Sequence, residues 1–164
     1  MPFYRELKNP DRYNKSFQEG FALFSRGNYS AALPLFTDAI YDAEIDDDNT
    51  YKYLSYYGRT LYYLGEHAAG LANCVTAANH EPHHSDVFYN LACVAYQSKQ
   101  RELALKSLAK GTEIDPYDTQ LLHMRHALGM RRKPILGFFS RKNILNKLLG
   151  KLTYHWFKPA HGLH

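Results

Sequence analysis

Histidine, cysteine and carboxylate side chains could give this 164-residue chain a chemistry, and they fall in a few small groups. The densest is His80, His83 and His84, with Glu81 and Asp86 beside them. These are zinc-ligand types, but a zinc site needs several of them converging at roughly 2.0–2.2 Å on one point. They flank Pro82, which marks a turn between helices, and a turn does not supply that convergence without ligands from elsewhere. A solvated polar turn is the expectation. His123 and His126 stand one helical turn apart with no third ligand in view. Asp46-Asp47-Asp48-Asn49 has the charge for calcium but lacks the alternating ligand positions, the glycine and the closing glutamate of an EF-hand loop. It is expected to be a connecting loop. Cys74 and Cys93 form no CxxC pair and sit within helical patterns, where a free thiol acts as a small buried hydrophobe. No glycine-rich phosphate loop and no GxSxG turn occurs, and nothing places a serine or cysteine beside a base. The sequence therefore predicts no catalytic residue, no metal and no cofactor, in a chain that is not an enzyme.

What the elements must position, then, is a surface rather than a reacting group. Apolar residues make up 45% of the chain and aromatic residues 15%, including fourteen tyrosines. That composition supports a core and is not that of a disordered chain. No run approaches the roughly 18 apolar residues that span a bilayer. Met1-Pro2-Phe3-Tyr4-Arg5-Glu6 carries charge where a signal peptide needs an apolar stretch, so a cytoplasmic location is expected. The net charge of +4 hides a division. Residues 1–118 hold 11 basic and 16 acidic residues, a net of −5, whereas 119–164 hold nine basic and no acidic ones. The result is an acidic body with a basic tail.

The body repeats. Tyr51–Pro82 aligns with Ser85–Pro116, and the two prolines lie 34 residues apart. Gly58 in the first segment matches Ala92 in the second, and Ala104, Leu108 and Gly111 follow as small, large and small residues. An earlier unit starts near Tyr13, with Gly20, Gly27-Asn28-Tyr29, Ala32, Phe36 and Ala39. It is 38 residues long and takes its extra four in the acidic loop Glu44–Asn49. The period of 34 and these small and large positions resemble the tetratricopeptide repeat (TPR) family over about residues 13–118. The family's tryptophan site is Ser16, Leu54 and Phe88 here, and Pro34 falls in the first turns of a helix. The resemblance implies an all-α fold, a right-handed superhelix of antiparallel helix pairs. The three units are 13–50, 51–84 and 85–118, after a lead segment 1–12. Asp118-Thr119, followed by Leu121, Leu122, Met124, Arg125 and Leu128, is expected to be a capping helix over 119–130.

The resemblance also implies a protein–protein interaction module, an adaptor or scaffold. Its concave groove, lined by the first helix of each pair, would take a peptide or helix of another protein. Carried onto this chain, the groove positions are Phe17, Phe21 and Phe24 from the first unit, and Lys52, Tyr56, Arg59 and Tyr63 from the second. The third contributes Asp86, Tyr89, Asn90, Cys93 and Tyr96. Such an aromatic surface suits an apolar or amphipathic segment. The family's carboxylate clamp is not matched: its sites are Phe17, Phe21, Tyr56, Asp86 and Asn90, with no cation among them. A second resemblance in length and repeat number is to the TPR chaperones of type III secretion, which hold membrane-inserting translocators. Residues 131–164 form a basic tail, with an amphipathic helix expected over about 140–157. Arg131, Arg132, Lys133, Phe138, Phe139, Lys142, Lys147, Lys151 and Trp156 are its interaction residues. Packing on the solenoid, modulation of access to the groove, and peripheral contact with an anionic membrane are the three roles open to it. Nucleic acid is not an expected partner, since the −5 body repels phosphates.

Overall fold

Three short turns of one design set the course of the chain. They join helices α1 (Lys15–Ser25) to α2 (Tyr29–Tyr41), α3 (Thr50–Tyr63) to α4 (His67–His80), and α5 (Ser85–Gln97) to α6 (Arg101–Ile114). In each turn the second linking residue is left-handed: Gly27 at φ 79°, Gly65 at φ 100° and Lys99 at φ 61°. The next amide then reaches back across the helix end, from Asn28 to Leu23 O, Glu66 to Leu61 O and Gln100 to Ala95 O, at 3.0, 3.0 and 2.8 Å. This six-to-one hydrogen bond closes the helix C-terminus and reverses the chain at once, so each helix folds back on the one before it. The computed structural model describes Leu7 and residues 9–43, 47–81 and 83–129. Among them the chain is all-helical: a short 3-10 turn at Pro10–Arg12, the six helices above and α7 (Thr119–Ala127).

The third turn carries a lysine where the others carry glycine. A side chain in the left-handed region costs about 1 kcal/mol or more, and Lys99 is exposed, so nothing packs against it in return. Lys99→Gly is expected to raise stability by about 1 kcal/mol, read as a higher urea midpoint at an unchanged slope.

Within each hairpin α1 packs on α2, α3 on α4 and α5 on α6, and successive hairpins meet through α2–α3 and α4–α5. The odd-numbered helices also touch one another, α1 with α3 and α3 with α5, and α7 rests on α6. Gly20, Ala32, Phe36, Ala39, Cys74, Ala77, Ala92, Ala104 and Leu108 are all buried along these seams. The small residues let helices approach and the large ones fill the space between hairpins, which is why the sequence alternates the two sizes. Pro34 sits inside α2. Its missing N–H removes one backbone bond, but Ala32, Phe36 and Ala39 hold the helix by burial on its other face. Asp118 starts α7 by accepting from the amides of Gln120 and Leu121 at 2.9 and 3.2 Å, and Leu121 is fully buried beneath it.

No helix among the described residues is long and apolar enough to cross a membrane. The chain divides into two units, Met1–Gly129 and Met130–His164. The second unit, with the expected tail helix and all nine tail residues named above, lies outside the described residues, as does Glu44–Asp46 of the acidic loop.

Candidate functional site

Helices α3 and α5 lie side by side, and a chain of polar residues runs between them beside the apolar contact of Tyr62 with Leu91 and Val94. On α3, Lys52, Tyr56, Arg59 and Tyr63 recur every three or four residues and so share a face. On α5, Asp86, Tyr89, Asn90, Cys93 and Tyr96 do the same. Lys52 Nζ lies 3.0 Å from Asp86 Oδ2 and donates to Tyr13 OH at 2.7 Å, while Tyr56 OH donates to the same carboxylate at 3.4 Å. One turn further on, Asn90 Nδ2 donates to Ser55 Oγ at 3.0 Å, and Ser55 in turn donates to Lys52 O at 2.8 Å. Arg59 completes the ladder, with Nη1 donating to Asn90 Oδ1 and Nε to Tyr63 OH, both at 2.9 Å.

The ion pair is sealed in, with about 7 and 8% of the Lys52 and Asp86 side chains exposed. Charges this deep are tolerated because each satisfies the other and two phenol hydroxyls take up spare bonding capacity.

The aromatic residues of α1 are core rather than surface. Phe17 is fully buried, with ring centroids 4.7 Å from Tyr53, 5.6 Å from Phe36 and 5.4 Å from Tyr56. Phe24 meets Tyr56 edge-on at 5.5 Å. The set of twelve groove residues carried over from the repeat pattern divides in this chain. Phe17, Phe21, Phe24, Lys52, Tyr56, Asp86, Asn90 and Cys93 are all buried, taken up as core rings and inter-helix bonds. Arg59, Tyr63 and Tyr89 are partly buried, and Tyr96 is 51% exposed. These four are the members of the set that keep exposed surface.

Their surroundings are set by Arg59. Its guanidinium carbon lies 5.2 Å from the centroid of Phe24, 5.3 Å from Tyr63 and 5.2 Å from Tyr89. Burial works against the charge, but the Cys93 thiol and the Tyr63 and Tyr89 phenols around it more than offset that, and its pKa lies above the ordinary arginine value. The group is a permanent cation in an aromatic bed. Burial likewise pushes the phenols of Tyr63 and Tyr89 up, so both stay neutral. A cavity of about 300 Å³ adjoins the ion pair, walled by Tyr13, Phe21, Lys52, Tyr56, His84 and Asp86.

No protein-family model matches the chain, and no curated protein matches it.

The histidine cluster is occupied by turn-making. Glu81 Oε1 accepts from the amides of His83 and His84 at 2.6 and 3.1 Å, and Glu81 Oε2 lies 2.9 Å from His84 Nδ1. Burial would raise the Glu81 pKa, but these bonds and His84 hold it below the ordinary carboxylate value. His80 stacks on Tyr51 at 5.0 Å. Among the described residues no group of three His, Cys, Asp or Glu is arranged for a metal ion. Cys74 is fully buried and burial pushes its thiol up to about 12, a poor nucleophile.

Tyr13 and Ser55 carry as much of the inter-helix network as any residue, and the repeat pattern does not mark them. One signal was present in the sequence: Lys52 and Asp86 lie 34 residues apart, the same place in adjacent units. Opposite charges at one register position of neighbouring units are placed to pair.

Proposed function

We propose that the chain is a tetratricopeptide-repeat protein that holds a segment of another protein and performs no chemistry on it. Three hairpins with the same turn, a 34-residue offset between the second and third, and small residues where helices cross all support the family reading. In that reading α7 covers the open end of the last pair, and the odd-numbered helices form the inner face of a right-handed superhelix. The basic segment after Gly129 would tune where the protein sits or what reaches that face.

The observation that carries the binding role is the strip Arg59, Tyr63, Tyr89 and Tyr96. Three rings and a guanidinium keep exposed surface along this strip, and tyrosine and arginine are among the residues that most often dominate protein–protein contacts. A segment lying along α3 and α5 would cover them and could set a side chain into the adjoining cavity.

Affinity capture from a native lysate, comparing the full chain with a form ending at Gly129, tests where recognition resides. One protein retained by both forms is the expected result. Retention by the full chain alone would move recognition to the basic segment and remove the groove from the account.

A further inference from the structure

We infer that the segment held on this face carries an acidic side chain, and that Arg59 is the residue that binds its carboxylate. This rests on the binding role proposed above and adds to it the chemistry of the partner.

The fork of Arg59 is fixed on its inner side and unused on its outer side. Nε is held by Tyr63 OH and Nη1 by Asn90 Oδ1, each at 2.9 Å. Asn90 is fully buried and pinned by its own amide nitrogen to Ser55 Oγ at 3.0 Å, so its oxygen cannot turn away. These partners are uncharged, and no carboxylate among the described residues ion-pairs with Arg59. Nη2 has no hydrogen-bond partner among the described residues, yet it is not sealed from solvent. Nη2 and its protons are therefore the part of the guanidinium left to an incoming carboxylate, which such a group binds by charge-assisted hydrogen bonds.

The aromatic bed and two neutral acceptors hold the Arg59 cation without neutralising it. Lys52, on the same face of α3, shows the alternative, for it is neutralised internally by Asp86 at 3.0 Å. With Lys52 taken, a single guanidinium remains, which suits one aspartate or glutamate side chain within a segment whose apolar residues meet Tyr89 and Tyr96. The fork is pre-organised, so little rotamer freedom is lost when the carboxylate arrives. Residues 119–164 carry no acidic side chain to offer, and the carboxylate is assigned to a partner protein.

The test uses the full-length chain and two matched pools of end-blocked twelve-residue peptides. Both are degenerate at every position except one, fixed as glutamate in the first pool and as glutamine in the second. The glutamate pool is expected to be retained at least about tenfold better, as for gain of a charge-assisted hydrogen bond, and Arg59→Gln should bring the two pools level. Tyr89→Glu, which sets a carboxylate beside the fork, should also erase the preference, while Tyr89→Gln keeps it. That pair separates charge from any loss of packing. Equal retention of both pools by the wild-type chain would overturn the inference and leave the binding role standing. Retention of neither pool would overturn both. Dimerisation that Arg59→Gln abolishes would name a second copy as the occupant and overturn the assignment to a partner.

Discussion

Asp86→Ala is expected to cost about 3–5 kcal/mol of folding stability, because it leaves the Lys52 ammonium buried without its counter-charge. Domains of this size are stable by about 5–15 kcal/mol in total, so the single change removes a large share. The loss should be specific in kind. Lys52 Nζ sits 3.0 Å from the carboxylate and 2.7 Å from Tyr13 OH, and a phenol hydroxyl cannot neutralise it. Lys52→Met in the same chain takes away the stranded charge and fills its volume with apolar atoms. The double variant Lys52→Met/Asp86→Leu should therefore be more stable than Asp86→Ala alone, with urea midpoints at neutral pH giving the order. A double variant no better than the single would mean that the pair is not acting as a buried charge pair.

Gly70→Ala is expected to be as damaging, by about 3 kcal/mol or more, although alanine is the better helix former by about 1 kcal/mol. A Cβ on Gly70 would meet Gly58 O at 2.7 Å, Tyr62 N at 2.7 Å and Tyr62 Cβ at 2.8 Å. Two of these are backbone atoms of α3, so α3 and α4 would have to move apart and every contact along their seam would loosen. Gly20 is the comparison. There a Cβ would meet the Phe36 ring at 3.0 Å and Leu35 Cβ at 3.2 Å, distances that a shift of a few tenths of an ångström relieves, and no backbone atom is among them. Gly20→Ala should cost distinctly less than Gly70→Ala, and thermal midpoints of the two variants decide the order.

The all-helical course of the described residues was legible from the 34-residue repeat, the family resemblance it carries and the turn glycines, and Gly27 and Gly65 are both left-handed as a helix-ending glycine should be. Lys99 was not legible as the third member of that set, because a lysine carries no mark of the left-handed conformation that its neighbours impose. Gly70 was hidden for a related reason. Its counterparts in the adjoining units are Ala32 and Ala104, so it reads as an ordinary small residue, and the nearness of Gly58 and Tyr62 on α3 is what makes glycine obligatory.

The candidate site was legible in part. The positions carried over from the TPR resemblance named Arg59, Tyr89 and Tyr96, but they could not say how far α1 would close over α3. That closure buries Phe17, Phe21 and Tyr56, a tertiary outcome set by how the hairpins stack. Tyr56 shows the consequence, since it is 2% exposed. Replacing it would open a core cavity and say nothing about binding.

The most direct measurement is therefore capture from native lysate by the wild-type chain and by Tyr89→Ala/Tyr96→Ala, with helical signal and thermal midpoint recorded for both. The account predicts that a protein retained by the wild type is lost by the variant, while the helical signal is unchanged and the midpoint moves little. The same proteins retained in the same amounts by both chains would contradict it.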